Sequence, residues 1–185
     1  MAKHNFINSA KLNVIIPQIC YILDNLFCKD NISQTTLIKL IKIAKEDNDC
    51  DYNFSDFNKN HDTLLMRCLK FYKFNGLNKK LKIDVIYQMI DDKKTNIYIK
   101  NLDGKSPIMF LIKHLSCNDF YNKVVEIIYD NRIDVNQTNK YGQNLLMIVA
   151  THMNDYKHFL LFEIMMKNMN FNVNDTDRDG CTVLY

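Results

Sequence analysis

The 185-residue chain is poor in punctuation, with 4 glycines, 2 prolines and no tryptophan. So few turn-formers exclude a sandwich or barrel built from many tight β-turns. They also exclude collagen, and 47% hydrophobic residues exclude a fully disordered chain. Charge of one sign is lacking too: a net +3 is too mild to demand nucleic acid as a partner. Long apolar runs are missing. Val14–Cys28 is broken by Pro17, Gln18, Asp24 and Asn25, no small-residue cleavage site follows it, and nothing reaches the ~20 residues of a membrane span. These absences predict a soluble protein of the cytoplasm that engages neither membrane nor nucleic acid.

Cysteine is present without a framework. Cys20, Cys28, Cys50, Cys68, Cys117 and Cys181 are scattered, with no CxxC, and read as small buried hydrophobes in a reducing compartment. Catalytic constellations are lacking as well. There is no GxxxxGK[ST] or GxGxxG phosphate cradle and no HExxH. His114 and Cys117 stand three apart without a second metal-ligand pair, which reads as a loop at a helix end. His152 and His158 flank an expected helix–helix loop and read as exposed. Cys68 lies on an apolar helix face and reads as an inert thiol. Glu46-Asp47-Asn48-Asp49 lacks the alternating oxygens and glycine of a calcium loop and reads as a solvated linker. The expectation is a protein that is not an enzyme and carries no cofactor and no metal.

What is present is a bias and a repeat. Asn, Ile, Lys, Tyr and Asp abound, Ala is scarce and Lys greatly exceeds Arg, the mark of codons from an AT-rich genome. Four segments align without gaps: Asn58-Lys59-Asn60-His61-Asp62-Thr63-Leu64-Leu65-Met66, Asn101-Leu102-Asp103-Gly104-Lys105-Ser106-Pro107-Ile108-Met109, Asn139-Lys140-Tyr141-Gly142-Gln143-Asn144-Leu145-Leu146-Met147 and Asp177-Arg178-Asp179-Gly180-Cys181-Thr182-Val183-Leu184-Tyr185. The glycine column, positions 61, 104, 142 and 180, recurs at spacings of 43, 38 and 38 residues. Asn or Asp three residues earlier bonds its own backbone and starts a turn. Glycine supplies the positive φ that closes it, and His61 is among the residues that tolerate that region better than most. Thr63, Ser106, Asn144 and Thr182 follow as helix N-caps, with Pro107 at a first helical position. An apolar run comes next, so helices are expected to start at or just after Thr63, Ser106 and Asn144.

Second helices fit between these runs and the next turn, around Val85-Ile86-Met89-Ile90, Val124-Val125-Ile127-Ile128 and Phe159-Leu160-Ile164-Met165. The methionine column of Met66, Met109 and Met147 reads as core filler, and most Tyr and Phe residues fall in apolar stripes. The fold class is therefore all-α, a solenoid of stacked antiparallel helix pairs joined by long turned loops. Residues 1–50 read as an N-terminal helical cap or degenerate repeat. Residues 51–185 read as repeats of which the last is incomplete, so that the final helix pair is the weak edge.

The turn-plus-cap block resembles the ankyrin repeat, D-x-x-G-x-T-P-L-H-x-A. Val124 to Ala150 is most similar, with Asp134-Val135-Asn136 in the place of the inter-repeat hairpin strand; the resemblance runs roughly from Asn53 to Tyr185, and more loosely from Asn5 to Asp51. The signature His is replaced by Met66, Met109, Met147 and Tyr185, and the repeats are over-long. Divergent proteins of this composition are similar to the ankyrin repeat proteins of giant amoeba-infecting DNA viruses, which would place this one in host cytoplasm.

The resemblance implies a protein-interaction module that reads its partner with turn tips and the exposed side of the first helices, along the concave face. Carried over residue by residue, the tips hold Phe57, Lys59, Asn60 and Asp62; Lys100, Leu102, Asp103 and Lys105; Thr138, Lys140, Tyr141 and Gln143; and Thr176, Arg178, Asp179 and Cys181. Lys70 and Lys113 stand at first-helix ends. The candidate partner-binding residues are Lys59, Asn60, Lys100, Leu102, Lys105, Lys140, Tyr141, Gln143 and Arg178, which suit a protein with acidic residues flanking an apolar core. The basic tips read equally well as solvated lysines in a Lys-rich chain. The alternative function is the recognition part of a larger F-box-type ubiquitin-ligase adaptor, or a scaffold for a further C-terminal domain.

Overall fold

The computed structural model describes residues 59–70, 72, 79–91, 95–116, 118–129, 134, 137–153, 155–168 and 171–184. The expected N-terminal helix pair, the tip residue Phe57, Asn58 and most of the Asp134-Val135-Asn136 segment lie outside these residues.

Among the described residues six α-helices form three pairs: α1 Leu64–Lys70 with α2 Lys79–Asp91, α3 Pro107–Ile112 with α4 Asn118–Tyr129, and α5 Leu145–Ala150 with α6 Tyr156–Asn168. Among the described residues there is no strand. The first helices begin where the cap residues place them. They are short, and α3 and α5 are apolar all round, which suits only helices covered on every side, whereas α1 places Arg67 and Lys70 outward in its last turn. All six residues of α3 are buried, as are Leu145 to Val149 of α5. The second helices bury one face and expose the other, and the division of apolar from polar residues is clearest in α4. In α4, Phe120, Val124, Ile127 and Ile128 face inward while Glu126 and Tyr129 do not. Each first helix packs on its own second helix and on the neighbouring first helices, and α4 packs on α6. Helix pairs thus stack into two layers, each pair burying its neighbour, as a solenoid requires.

The turns behave as their side chains dictate. Asn101 Oδ1 accepts from the amides of Asp103 (3.0 Å) and Lys105 (2.9 Å), Asn139 Oδ1 from Tyr141 (2.9 Å) and Gln143 (3.1 Å), and Asp177 Oδ1 from Asp179 (3.0 Å) and Cys181 (2.9 Å). Gly104, Gly142 and Gly180 take φ of 69°, 79° and 80°, and His61 takes 53° in the same column. Asn96 and Asn172 start further side-chain turns by accepting from Tyr98 N and Asn174 N.

Two expected caps are made: Thr63 Oγ1 accepts from Met66 N (3.3 Å) and Asn144 Oδ1 from Met147 N (3.0 Å). Ser106 has the extended backbone of a cap but no capping side chain. Its hydroxyl instead donates to Gln137 Oε1 (2.7 Å), whose amide donates to the Tyr98 carbonyl (2.6 Å). Gln137 is buried and crosses from one repeat's turn to the other's, so the hydroxyl is worth more there than at a helix end already holding Pro107. Gln137→Leu leaves the Tyr98 carbonyl without that buried partner, and should cost about 1–3 kcal/mol in urea unfolding. An unchanged midpoint would contradict the bridge.

Two histidines correct the sequence reading. His158 is buried, and its Nε2–H donates to the Ile112 carbonyl (2.8 Å) at the end of α3. His152 is half-buried and stacks on it, ring centroids 5.5 Å apart. His114 makes the equivalent bond one repeat earlier, Nε2–H to the Leu69 carbonyl (2.7 Å) at the end of α1. Imidazoles from one repeat therefore tie off first-helix carbonyls of the repeat before, which sequence spacing alone does not reveal. Burial pushes both imidazoles below their ordinary pKa, more than the carbonyl bonds raise it. As pH falls below about 6.5 the unfolded chain binds protons that the folded chain resists, so stability drops with falling pH. The melting temperature should fall from pH 7 to pH 5 and fall less steeply in His114→Gln/His158→Gln. Identical slopes would contradict the assignment.

Candidate functional site

The tips are tied to one another through backbone. Leu102 N donates to Asn60 O (3.0 Å), Lys140 N to Asp103 O (2.8 Å) and Arg178 N to Tyr141 O (2.9 Å), so every described tip is bonded to the next. Within each turn, Asn101 N, Asn139 N and Asp177 N donate to Lys105 O, Gln143 O and Cys181 O. The result is a continuous edge whose spacing is set by hydrogen bonds rather than by side chains.

Side chains then divide into those used inside the edge and those left for a partner. Asp62, expected at a tip, is fully buried. It accepts from Asn101 Nδ2 (2.6 Å) and Asn60 Nδ2 (3.2 Å) and lies 3.6 Å from Lys70 Nζ, so its charge is matched internally. Asn60 also reaches Asp103 (3.3 Å), and Gln143 Oε1 accepts from Asn139 Nδ2 (3.0 Å). Both candidates thus carry structural bonds. Lys140 pairs with Asp103 of the preceding tip (2.6 Å) and lies 5.2 Å over the Tyr141 ring. That bond is the main reason the Asp103 carboxyl sits below its ordinary pKa and the Lys140 ammonium above its own. Lys59, Lys100 and Arg178 are exposed, as are Leu102 and Tyr141, at 65% and 50% of their surface.

Behind the edge, between the second and third helix pairs, is a hollow of 130 Å³. Its rim is Lys105, Tyr141 and Gln143 from the tips. Met109, Phe110 and Ile148 form its apolar floor, with Lys113, Thr151 and His152 beyond. The edge and the first helices thus make one continuous face, and Lys105, Tyr141 and Gln143 of the sequence candidates meet in it. Lys59, Lys100 and Arg178 stand on the edge outside it. Phe110 and Ile148 lie six residues after their glycines, and Lys113 and Thr151 nine after. Reading those columns across repeats was the signal that could have found the hollow.

Helix pairs, turn columns, tip ladder and hollow together give a pattern that can be compared. No protein-family model matches the chain, and no curated protein matches it. Among solved structures, the crystal structure of EF0377, an ankyrin repeat protein, superposes with a TM-score of 0.59 over 90% of this chain and 69% of that one, at 16% identity. The fold is ankyrin-like. At this identity the likeness speaks for architecture alone. The ankyrin-like stack keeps its turns and pairs while replacing the consensus histidine with methionine: Met66, Met109 and Met147 are all buried in the first helices. Among the described residues no group of His, Cys, Asp or Glu could hold a metal, and no helix is long and apolar enough to cross a membrane.

Proposed function

We propose that this ankyrin-like array is a non-enzymatic protein-interaction module that holds a protein partner against its turn-tip edge and concave face. The observation that carries this is the pair of large apolar side chains, Leu102 and Tyr141, exposed on adjacent tips whose backbones are hydrogen-bonded into a fixed edge. A rigid apolar pair among cations is suited to anchoring, because little side-chain or loop entropy is lost on binding. Lys59, Lys100 and Arg178 alongside favour a partner with acidic residues around its apolar core, and would set association rate and salt dependence more than affinity. The setting is cytoplasmic, that of a host cell if the viral similarity of the composition carries over.

The test is a pull-down from cell extract with three proteins: wild type, Leu102→Ala/Tyr141→Ala, and Lys59→Glu/Lys100→Glu/Arg178→Glu. At least one partner should be retained by wild type and lost by the apolar variant, with the charge variant binding more weakly at low salt. Partners captured equally by all three would overturn the surface. Tyr129 and Tyr156, exposed on α4 and α6, give the control: loss confined to Tyr129→Ala/Tyr156→Ala would move the interface to the second-helix layer.

A further inference from the structure

The hollow between the second and third helix pairs has a chemistry that the tip edge lacks. Its floor of Met109, Phe110 and Ile148 is apolar, and among the described residues no carboxylate lines it. Lys105 enters from the turn and Lys113 from the end of α3. Lys113 lies 5.9 Å over the Phe110 ring, and among the described residues neither ammonium is drawn into a salt bridge, the charge of Lys105 reaching the Asp103 carboxylate only at longer range. Lys70, Lys123 and Lys140 are matched by Asp62, by Asp91 and Glu126, and by Asp103. The two ammonium groups are close enough that Lys105 adds to the burial that lowers the proton affinity of Lys113. An anion held between them would relieve that repulsion. Size selects the rest: 130 Å³ is well below the about 300–1,000 Å³ of a small-molecule or cofactor site, and suits one apolar side chain.

We infer that this hollow is a docking point for a peptide segment of the partner in which an Asp or Glu side chain sits between Lys105 and Lys113 while a neighbouring Leu, Ile, Phe or Met side chain enters over Met109, Phe110 and Ile148. It rests on the reading of the concave face as a protein-binding surface and adds the recognised motif. The anion supplies orientation and the buried apolar side chain supplies most of the affinity. Lys140, already neutralised by Asp103, takes no part in holding the acid.

Short random peptides displayed on phage should be selected against the full chain and the enriched sequences titrated by fluorescence anisotropy. Enriched peptides should share an acidic residue beside a large aliphatic or aromatic one. Changing that acid to its amide should weaken binding about tenfold to wild type, and far less to Lys105→Gln/Lys113→Gln. Lys113 is exposed and Lys105 only half-buried, and neither is in a salt bridge among the described residues, so the variant's circular dichroism and melting curve should match wild type. Enriched peptides that bind the lysine variant as well as wild type, but not Leu102→Ala, would overturn the hollow and leave the interaction function standing. Failure to enrich any peptide, or tighter binding of a single-stranded oligonucleotide through the same lysines, would overturn both.

Discussion

Gly104→Ala should cost the array about 3 kcal/mol, Gly142→Ala about 2 kcal/mol and Gly180→Ala about 1 kcal/mol. All three glycines occupy the left-handed region, where any side chain is strained, so that part of the loss is common. The difference lies in what a Cβ would meet. At Gly104 it would lie 2.8 Å from Lys140 N and 2.9 Å from the Asn139 carbonyl carbon, both backbone atoms of the next turn. Lys140 N is the donor that ties that turn to Asp103 O, so the added carbon pushes on the ladder itself. At Gly142 the nearest atom is Arg178 N at 3.0 Å, and at Gly180 nothing lies within 4 Å. Urea unfolding followed by far-UV circular dichroism reads the three midpoints, the chain having no tryptophan to report. Equal losses at the three glycines would show that close approach between tips contributes nothing.

Phe120→Ala should be still more costly, about 3–5 kcal/mol. Phe120 is fully buried on α4 and meets Tyr72 edge-on at 5.0 Å and Tyr87 at 6.2 Å, both residues of the first repeat. Its ring, with that of His114, fills the joint between the first and second helix pairs. Lys123, one turn along α4, bridges to Asp91 at the end of α2; burial pulls its pKa down, but Asp91 and Glu126 outweigh this and raise it. An array held by nearest-neighbour contacts should lose its coupling locally when such a joint is emptied. Hydrogen exchange in Phe120→Ala should therefore quicken in α1 and α2 well before α5 and α6. A uniform increase along the chain would mean that the stack unfolds as one unit and that the joint is not special.

The parts of this structure visible in the sequence are those whose physics is local. An Asn or Asp three residues before Gly104, Gly142 or Gly180 bonds to amides two and four residues ahead, and the turn it makes needs no knowledge of the rest of the chain. The starts of α1, α3 and α5 follow from the same block, and so does the positive φ of His61. What could not be read depends on stacking. The hydroxyl of Ser106 finds Gln137, and His158 finds the Ile112 carbonyl, only because the next repeat brings them there. Asp62 and Lys82 are fully buried although nothing apolar marks their positions. The basic tip row is visible as composition, but the pairing of Lys140 with Asp103 is a contact between repeats, and it removes one cation from the surface available to a partner.

The turn tips are bonded into one edge, and that edge positions Leu102, Tyr141 and the hollow behind them. Amide hydrogen exchange at Leu102, Lys140 and Arg178, residue by residue in the native state, tests it most directly. Slow exchange is expected at all three, with the protection of Lys140 lost selectively in Gly104→Ala. Exchange at Lys140 as fast as in an unstructured loop would contradict the edge and the binding surface built on it.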